Sequence, residues 1–269
     1  GGEASMKTVT GLLLCLFLAA AFNPSFPKPI RNEVMLHPGD SFTAFTLEKG
    51  EWVYCQPLQP YPGWAWVGIT SWLTAELDFE AWLGGVPSLN IRIGASPQNG
   101  VIPAFALEAM GQLISEPIDL LEDYSELDVI RDGLSIYAHL NASWALSNVF
   151  YLHLSAGTTH SESVEFREQA SDGILFQNRW HPDFSISGDW RCSNTLSLHG
   201  TLSYGSTFLY LDNVPRKKQT VLAFRWAPFH NSQTSFFSVM RMELAFLSIR
   251  FDDVEKGFEG PMLFLYWQW

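Results

Sequence analysis

Charge is scarce in this chain. Of its 269 residues only 16% are Asp, Glu, Lys or Arg, whereas ordinary globular domains carry roughly a quarter. Basic residues are scarcer still: 16 Lys and Arg against 28 Asp and Glu leave a formal net charge of -12. That balance excludes nucleic acid as a partner, because nothing neutralises a phosphate backbone. Cysteine is nearly missing, at 3 residues, which excludes a disulfide framework. Cys15 falls in the leader described below, so Cys55 and Cys192 either form one disulfide or stand as separate thiols. After residue 21 no apolar run reaches the about 20 residues a membrane-spanning helix needs, which excludes a helical membrane protein. What abounds is apolar surface: 47% hydrophobic residues, with 11 Trp and 20 Phe. Disorder is excluded by the same figures, and much of the surface is expected to meet something other than water.

Residues 6–21 read as a secretory signal. Lys7 supplies the positive end, residues 11–20 a short apolar stretch, and Ala19, Ala20 and Ala21 a small-residue cleavage site. Leu14 stands where a lipoprotein signal carries a small residue, which argues against lipidation of Cys15. The expected organisation is a leader and signal at 1–21, a periplasmic segment at 22–50 and a β-domain at 51–269.

Alternation sets the fold class. Leu73, Ala75, Leu77, Phe79 and Ala81 share one face of an extended strand, while Thr74, Glu76, Asp78 and Glu80 share the other. The same sorting puts Leu134, Ile136, Ala138, Leu140, Ala142 and Trp144 against Ser135, Tyr137, His139, Asn141 and Ser143. Leu196, Leu198, Gly200 and Leu202 likewise oppose Ser197, His199, Thr201 and Ser203. These strands are about ten residues long, enough to cross a bilayer at a tilt. Tight turns at 70–71, 97–100, 146–148, 192–194 and 230–233 alternate with connections at 59–63, 84–87, 115–132, 160–181, 206–217 and 252–260, all but the second of them longer. The expected strands are 51–58, 63–70, 72–83, 88–96, 101–114, 133–145, 149–159, 182–192, 195–205, 218–228, 234–251 and 261–269. The count of twelve, with ten or eight as alternatives, is even, as bacterial barrels require. A short helix within 107–123 is also expected.

The chain ends Leu263-Phe264-Leu265-Tyr266-Trp267-Gln268-Trp269. Leu263, Leu265, Trp267 and Trp269 resemble the closing strand of bacterial outer-membrane β-barrels, although Phe is the commoner last residue. The segment Gly68-Ile69-Thr70-Ser71 is similar to a hairpin turn frequent in porin-like members, with Ser71 where Asp is usual. The resemblance implies an all-β transmembrane antiparallel barrel in the Gram-negative outer membrane. It also implies outer-membrane lipid and the barrel-assembly machinery as partners, the closing strand being what that machinery reads.

If the apolar faces meet lipid, the lumen is lined by Glu76, Asp78, Glu80, Arg92, His139, His153, Asp189, Arg191, His199, Arg225, Arg241 and Glu243. Fixed charges of both signs in a narrow interior either make a selectivity constriction or fill the barrel as paired side chains. The first reading gives a passive or weakly cation-selective channel for small solutes, since Glu76, Asp78 and Glu80 concentrate negative charge on one strand.

A second reading is an enzyme acting on lipid or lipopolysaccharide. Tyr137, His139, Asn141, Ser143 and His153 hold the residue types of a Ser/His hydrolase, but they share the lumen face and no Gly-x-Ser-x-Gly elbow is present. A secreted carbohydrate-binding β-sandwich is the third. Asp119, Glu122, Asp123, Glu126 and Asp128 crowd one connection without EF-hand spacing and read as a solvated loop. No histidine pair supports zinc, and neither a metal nor a cofactor is expected. Trp52, Trp64, Trp66, Trp72, Trp82, Trp226, Trp267 and Trp269 fall near strand ends, where a membrane-interface girdle would place them.

Overall fold

Strands whose alternate residues are apolar need partners on both edges if no backbone group is to face hydrocarbon unpaired, and closure into a barrel supplies them. The computed structural model has that closure. It describes residues 43–58, 63–79, 82, 88–114, 127–131, 133–147, 149–161, 164–168, 175–176, 179–193, 195–205, 217–229, 232, 234–251 and 257–269.

Fifteen strands are present among these residues: β1 (Trp52–Pro57), β2 (Trp64–Thr70), β3 (Leu73–Asp78), β4 (Ser88–Ser96), β5 (Ala104–Ile114), β6 (Leu127–Arg131), β7 (Gly133–Ala145), β8 (Phe150–Ser161), β9 (Val164–Glu168), β10 (Leu175–Phe176), β11 (Arg179–Arg191), β12 (Leu196–Gly205), β13 (Lys217–Trp226), β14 (Met240–Phe251) and β15 (Gly257–Gln268). Twelve form a closed antiparallel barrel in the order β1-β15-β14-β13-β12-β11-β8-β7-β5-β4-β3-β2. β6, β9 and β10 form a separate small sheet within the two longest loops. The ring closes where β1 meets β15, with Val53 opposite Gln268, and Trp52 and Trp269 exchange backbone hydrogen bonds of 2.9 and 2.8 Å.

The twelve barrel strands follow the alternation closely, and the departures have local causes. β3 stops at Asp78 instead of continuing to 83; farther on, the Trp82 indole turns back to donate to the Ser88 carbonyl at 2.7 Å. The expected strand 234–251 begins as a helical turn, α1 (Ser235–Ser238), with β14 starting at Met240. The helix expected within 107–123 is replaced by β5 up to Ile114, because β4 and β7 pair with β5 on its two edges and their ladders outweigh local helical character. Residues 115–126 lie outside the described residues.

Facing follows from register. Even positions of β2 to β5 and of β15 point inward, as do odd positions of β1, β7, β8 and β11 to β14, so that Arg92 lies opposite Glu108, Glu108 opposite His139 and Arg225 opposite Glu243. The outer wall exposes Leu140, Leu202, Leu222 and Phe246, each at 50% or more. In water such a wall would be an aggregation surface; against lipid it needs no further partner. Trp180 lies near the loop end of that wall, and Trp52, Trp190, Trp226 and Trp269 near the turn end, as amphipathic rings at two interfaces would.

Candidate functional site: a polar belt inside the barrel

The inner wall carries charge, and a charge shut away from water needs hydrogen-bonding partners. On β4 and β5, Arg92 grips Glu108 with both faces of its guanidinium edge: Nη2 to Oε1 at 3.1 Å and Nε to Oε2 at 3.2 Å. Asn90 Nδ2 donates to Glu76 Oε2 and Glu108 Oε1, both at 2.8 Å, and Asn141 Nδ2 donates to Glu108 Oε2 at 2.6 Å. One carboxylate thus ties β4, β5 and β7 together.

A second chain continues around the circumference. Ser143 Oγ lies 2.8 Å from His153 Nδ1, and His153 Nε2 lies 3.1 Å from Asp189 Oδ2. Asp189 Oδ1 meets His199 Nδ1 and Arg225 Nη1, each at 2.9 Å. Arg225 Nε in turn donates to Glu243 Oε2, and the Tyr266 hydroxyl reaches Glu243 Oε1 at 3.5 Å. The chain runs through seven neighbouring strands, β7, β8, β11, β12, β13, β14 and β15. A third unit pairs His139 Nε2 with Asp183 Oδ2 at 3.0 Å, with the Thr159 hydroxyl donating to the same oxygen. Tyr137 stacks on the His139 ring at 4.8 Å between centroids.

The inner wall also carries an apolar patch, on β1, β2 and β13 to β15. Val53, Cys55, Trp66, Val221, Ala245, Leu247, Ile249 and Phe264 form one buried cluster, with Trp64 packed against it. Trp64 and Trp66 therefore leave the interface girdle: register puts Trp66 opposite Val53 and Glu76, on the inner face. Trp72, 3% exposed, is likewise buried. Cys55 is buried and Cys192 exposed, and no disulfide joins them.

A strap, residues 43–47, lies against this wall at the turn end. The Ala44 N–H donates to Ser143 Oγ at 2.7 Å, the Leu47 N–H to Thr74 Oγ1 at 2.8 Å, and the Thr46 hydroxyl to the Ser71 carbonyl at 2.9 Å. Phe45 meets the rings of Tyr151 and His153 edge-on, at 5.7 and 5.9 Å. Burying side chains such as Phe45 and Leu47 stabilises by about 1.5–3 kcal/mol each.

Of the residues expected in the lumen, Arg92, His139, His153, Asp189, His199, Arg225 and Glu243 are buried on the inner face. Glu76 and Asp78 are half-buried there, opposite Trp66 and Trp64. Arg241 Nη1 is taken up by the Ser238 and Met240 carbonyls at 3.1 Å, and Arg191 Nε by the Ser193 carbonyl at 3.1 Å. Both thus contact the turn end. Glu80 lies outside the described residues, as do Asp119, Glu122, Asp123 and Glu126, while Asp128 is in β6. Leu263, Leu265 and Trp267 occupy outward positions of the last strand, and Trp269, exposed, follows its end at Gln268. Glu108 and Asp183 were not expected. Asp183 had a signal, since Asp183, Ser185, Ser187 and Asp189 alternate with Phe184, Ile186, Gly188 and Trp190.

The serine, histidine and aspartate of the second chain are the residue types of a hydrolytic triad, but they face the barrel interior. Ser143 is fully buried, and its oxygen accepts the Ala44 N–H. In this arrangement Ser143 anchors the strap.

A closed wall of twelve strands, apolar outside and carrying a buried polar belt within, has the architecture of a membrane-spanning β-barrel. No protein-family model matches the sequence, and no curated protein matches it. Among solved structures, the NanC porin in a rhombohedral crystal form is similar at a TM-score of 0.44 and 6% identity, covering 80% of this chain and 96% of that one. The outer-membrane channel DcaP of Acinetobacter baumannii is similar at a TM-score of 0.38 and 10% identity, covering 88% of this chain and 68% of that one.

Proposed function

We propose that this barrel is a passive channel for small solutes with a modest preference for cations. The observation that carries the reading is the pair of half-buried carboxylates, Glu76 and Asp78, at successive inward positions of β3. Within low-dielectric walls a local cluster of negative charge raises the concentration of cations, most strongly at low salt where screening is weak. Glu76 and Asp78 are half-buried where Glu108 and Glu243 are enclosed, so they are the carboxylates best placed to act on a passing ion.

The test is the zero-current potential across a planar bilayer under a salt gradient, before and after Glu76→Gln with Asp78→Asn. The wild-type potential should have the sign of cation preference and should shrink in the double variant. Anion preference in the wild type, or an unchanged potential in the variant, contradicts the reading.

A further inference from the structure

The strap touches the barrel in a way the wall strands do not. Residues 43–47 lie against the inner face of neighbouring strands, and the hydrogen bonds that hold them run to side chains or to a turn carbonyl. Ser143 takes the Ala44 N–H, Thr74 the Leu47 N–H and the Ser71 carbonyl the Thr46 hydroxyl. Arg92 Nη1 approaches the Phe45 carbonyl at 3.5 Å and Asn141 Nδ2 the Thr43 carbonyl at 3.4 Å. An extended segment is thereby recognised by its backbone, as a bound peptide would be.

The seat is shaped for it. Ala44 and Phe45 pack with Ala104, Ala106 and Tyr151, so two alanines stand on β5 where a larger residue would fill the strap's place. Leu47 joins the apolar cluster of the opposite sector. The contact residues Ser71, Thr74, Ala104, Ser143 and Tyr151 all lie at or near the turn end of their strands, which puts the strap in that mouth of the barrel.

The strap is joined to β1 by a compact turn and not by a run of ladder bonds. The Glu51 N–H donates to the Glu48 carbonyl at 3.0 Å, the Glu48 N–H to Glu51 Oε2 at 2.8 Å, and Gly50 has φ +81°, a value glycine adopts without strain. The turn rests on Gly68, where a Cβ would come within 1.8 Å of the Glu48 carbonyl oxygen. The Gly50 N–H donates to the Gly68 carbonyl at 2.7 Å and the Gly68 N–H to the Glu51 carbonyl at 2.9 Å, so the turn is pinned to the wall and residues 43–47 are the part that would move.

The geometry points to residues 43–47 as a plug carried by the chain itself, closing the turn-side mouth when seated and opening a path along the polar belt when displaced. The inference rests on the channel reading above. It adds a closed state, and it places the control in contacts to Ser143, Thr74 and Arg92.

The Thr43 and Ser143 hydroxyl oxygens lie 3.2 Å apart, so cysteines at both positions bring their sulfurs within bridging reach. The experiment uses full-length protein carrying Thr43→Cys and Ser143→Cys, with Cys55→Ala and Cys192→Ser removing the native thiols. Deletion of residues 43–47 is a second variant, and folding of each is checked by heat-modifiable migration. Conductance in planar bilayers should be low in the oxidised pair and should rise several-fold when dithiothreitol is added to the same sample. The deletion should conduct at least as well as the reduced pair. If oxidised, reduced and deleted forms all conduct alike, the plug is overturned and the channel reading stands. If none conducts, deletion included, both fall.

Discussion

His139 Nε2 and Asp183 Oδ2 lie 3.0 Å apart although β8 runs between their strands. Gly157 is the residue of β8 opposite both of them. A Cβ on Gly157 would come within 2.0 Å of His139 Cδ2 and 2.3 Å of the Ala138 carbonyl oxygen. The missing side chain is therefore what lets a histidine on one strand reach an aspartate two strands away. The belt depends on such gaps as much as on its charges.

Gly157→Ala should accordingly destabilise the barrel by about 1–3 kcal/mol, the usual cost of overpacking. Reversible denaturant unfolding from liposomes measures it. A neutral result would mean that His139 moves aside freely and that its pairing with Asp183 contributes nothing.

Asp189 holds His153, His199 and Arg225 at once. Asp189→Ala takes one carboxylate from Arg225 and the shared acceptor from two imidazoles. Removing one partner of a buried ion pair costs about 3–5 kcal/mol. Arg250 and Glu259, 3.6 Å apart and mostly exposed at 75% and 66%, make the contrast: Arg250→Ala should leave the unfolding midpoint unchanged. Equal losses in the two variants would show that the belt is not a stabilising network.

The outer and inner faces should tolerate charge very differently. Leu222, 58% exposed at the middle of β13, meets hydrocarbon, so Leu222→Arg should cost about 2–4 kcal/mol. Asp78→Arg, on the inner face opposite Trp64, should cost much less. The same unfolding assay decides, and equal costs would remove the basis for a lipid-facing wall.

Most of the fold was legible in the sequence because each wall residue has one of two environments. Where lipid is outside and polar side chains are inside, as on β7, β8, β11 and β12, period-two alternation reports facing directly. It fades where the interior is apolar. Val53 and Cys55 on β1, Trp64 and Trp66 on β2, and Ala245, Leu247 and Ile249 on β14 point inward yet resemble lipid-facing residues, so the tryptophans of β2 read as interface residues. Glu108 was hidden similarly. Its inward neighbours are Ala104, Ala106 and Met110, kept small or apolar where the strap and Tyr137 pack. The strap itself has no periodicity to read; its partner Ser143 lies 99 positions along the chain from Ala44.

Closure of the ring rests on the last strand. Leu263, Leu265 and Trp267 face outward along β15, and the backbone of Trp269, just past its end, bonds Trp52. Trp269→Ala, or deletion of residues 267–269, should lower the amount of folded, heat-modifiable barrel in the outer membrane. Normal accumulation of the deletion variant would show that these residues are not the assembly signal.

The central claim is that the polar belt lines a path through the membrane. The most direct measurement is single-channel recording of the purified, refolded wild-type protein in planar bilayers under a salt gradient. The account predicts discrete steps of small conductance whose reversal potential has the sign of cation preference. Silence at every applied voltage from both the wild type and the variant lacking residues 43–47, each folded by heat-modifiable migration and inserted in the bilayer, would contradict it.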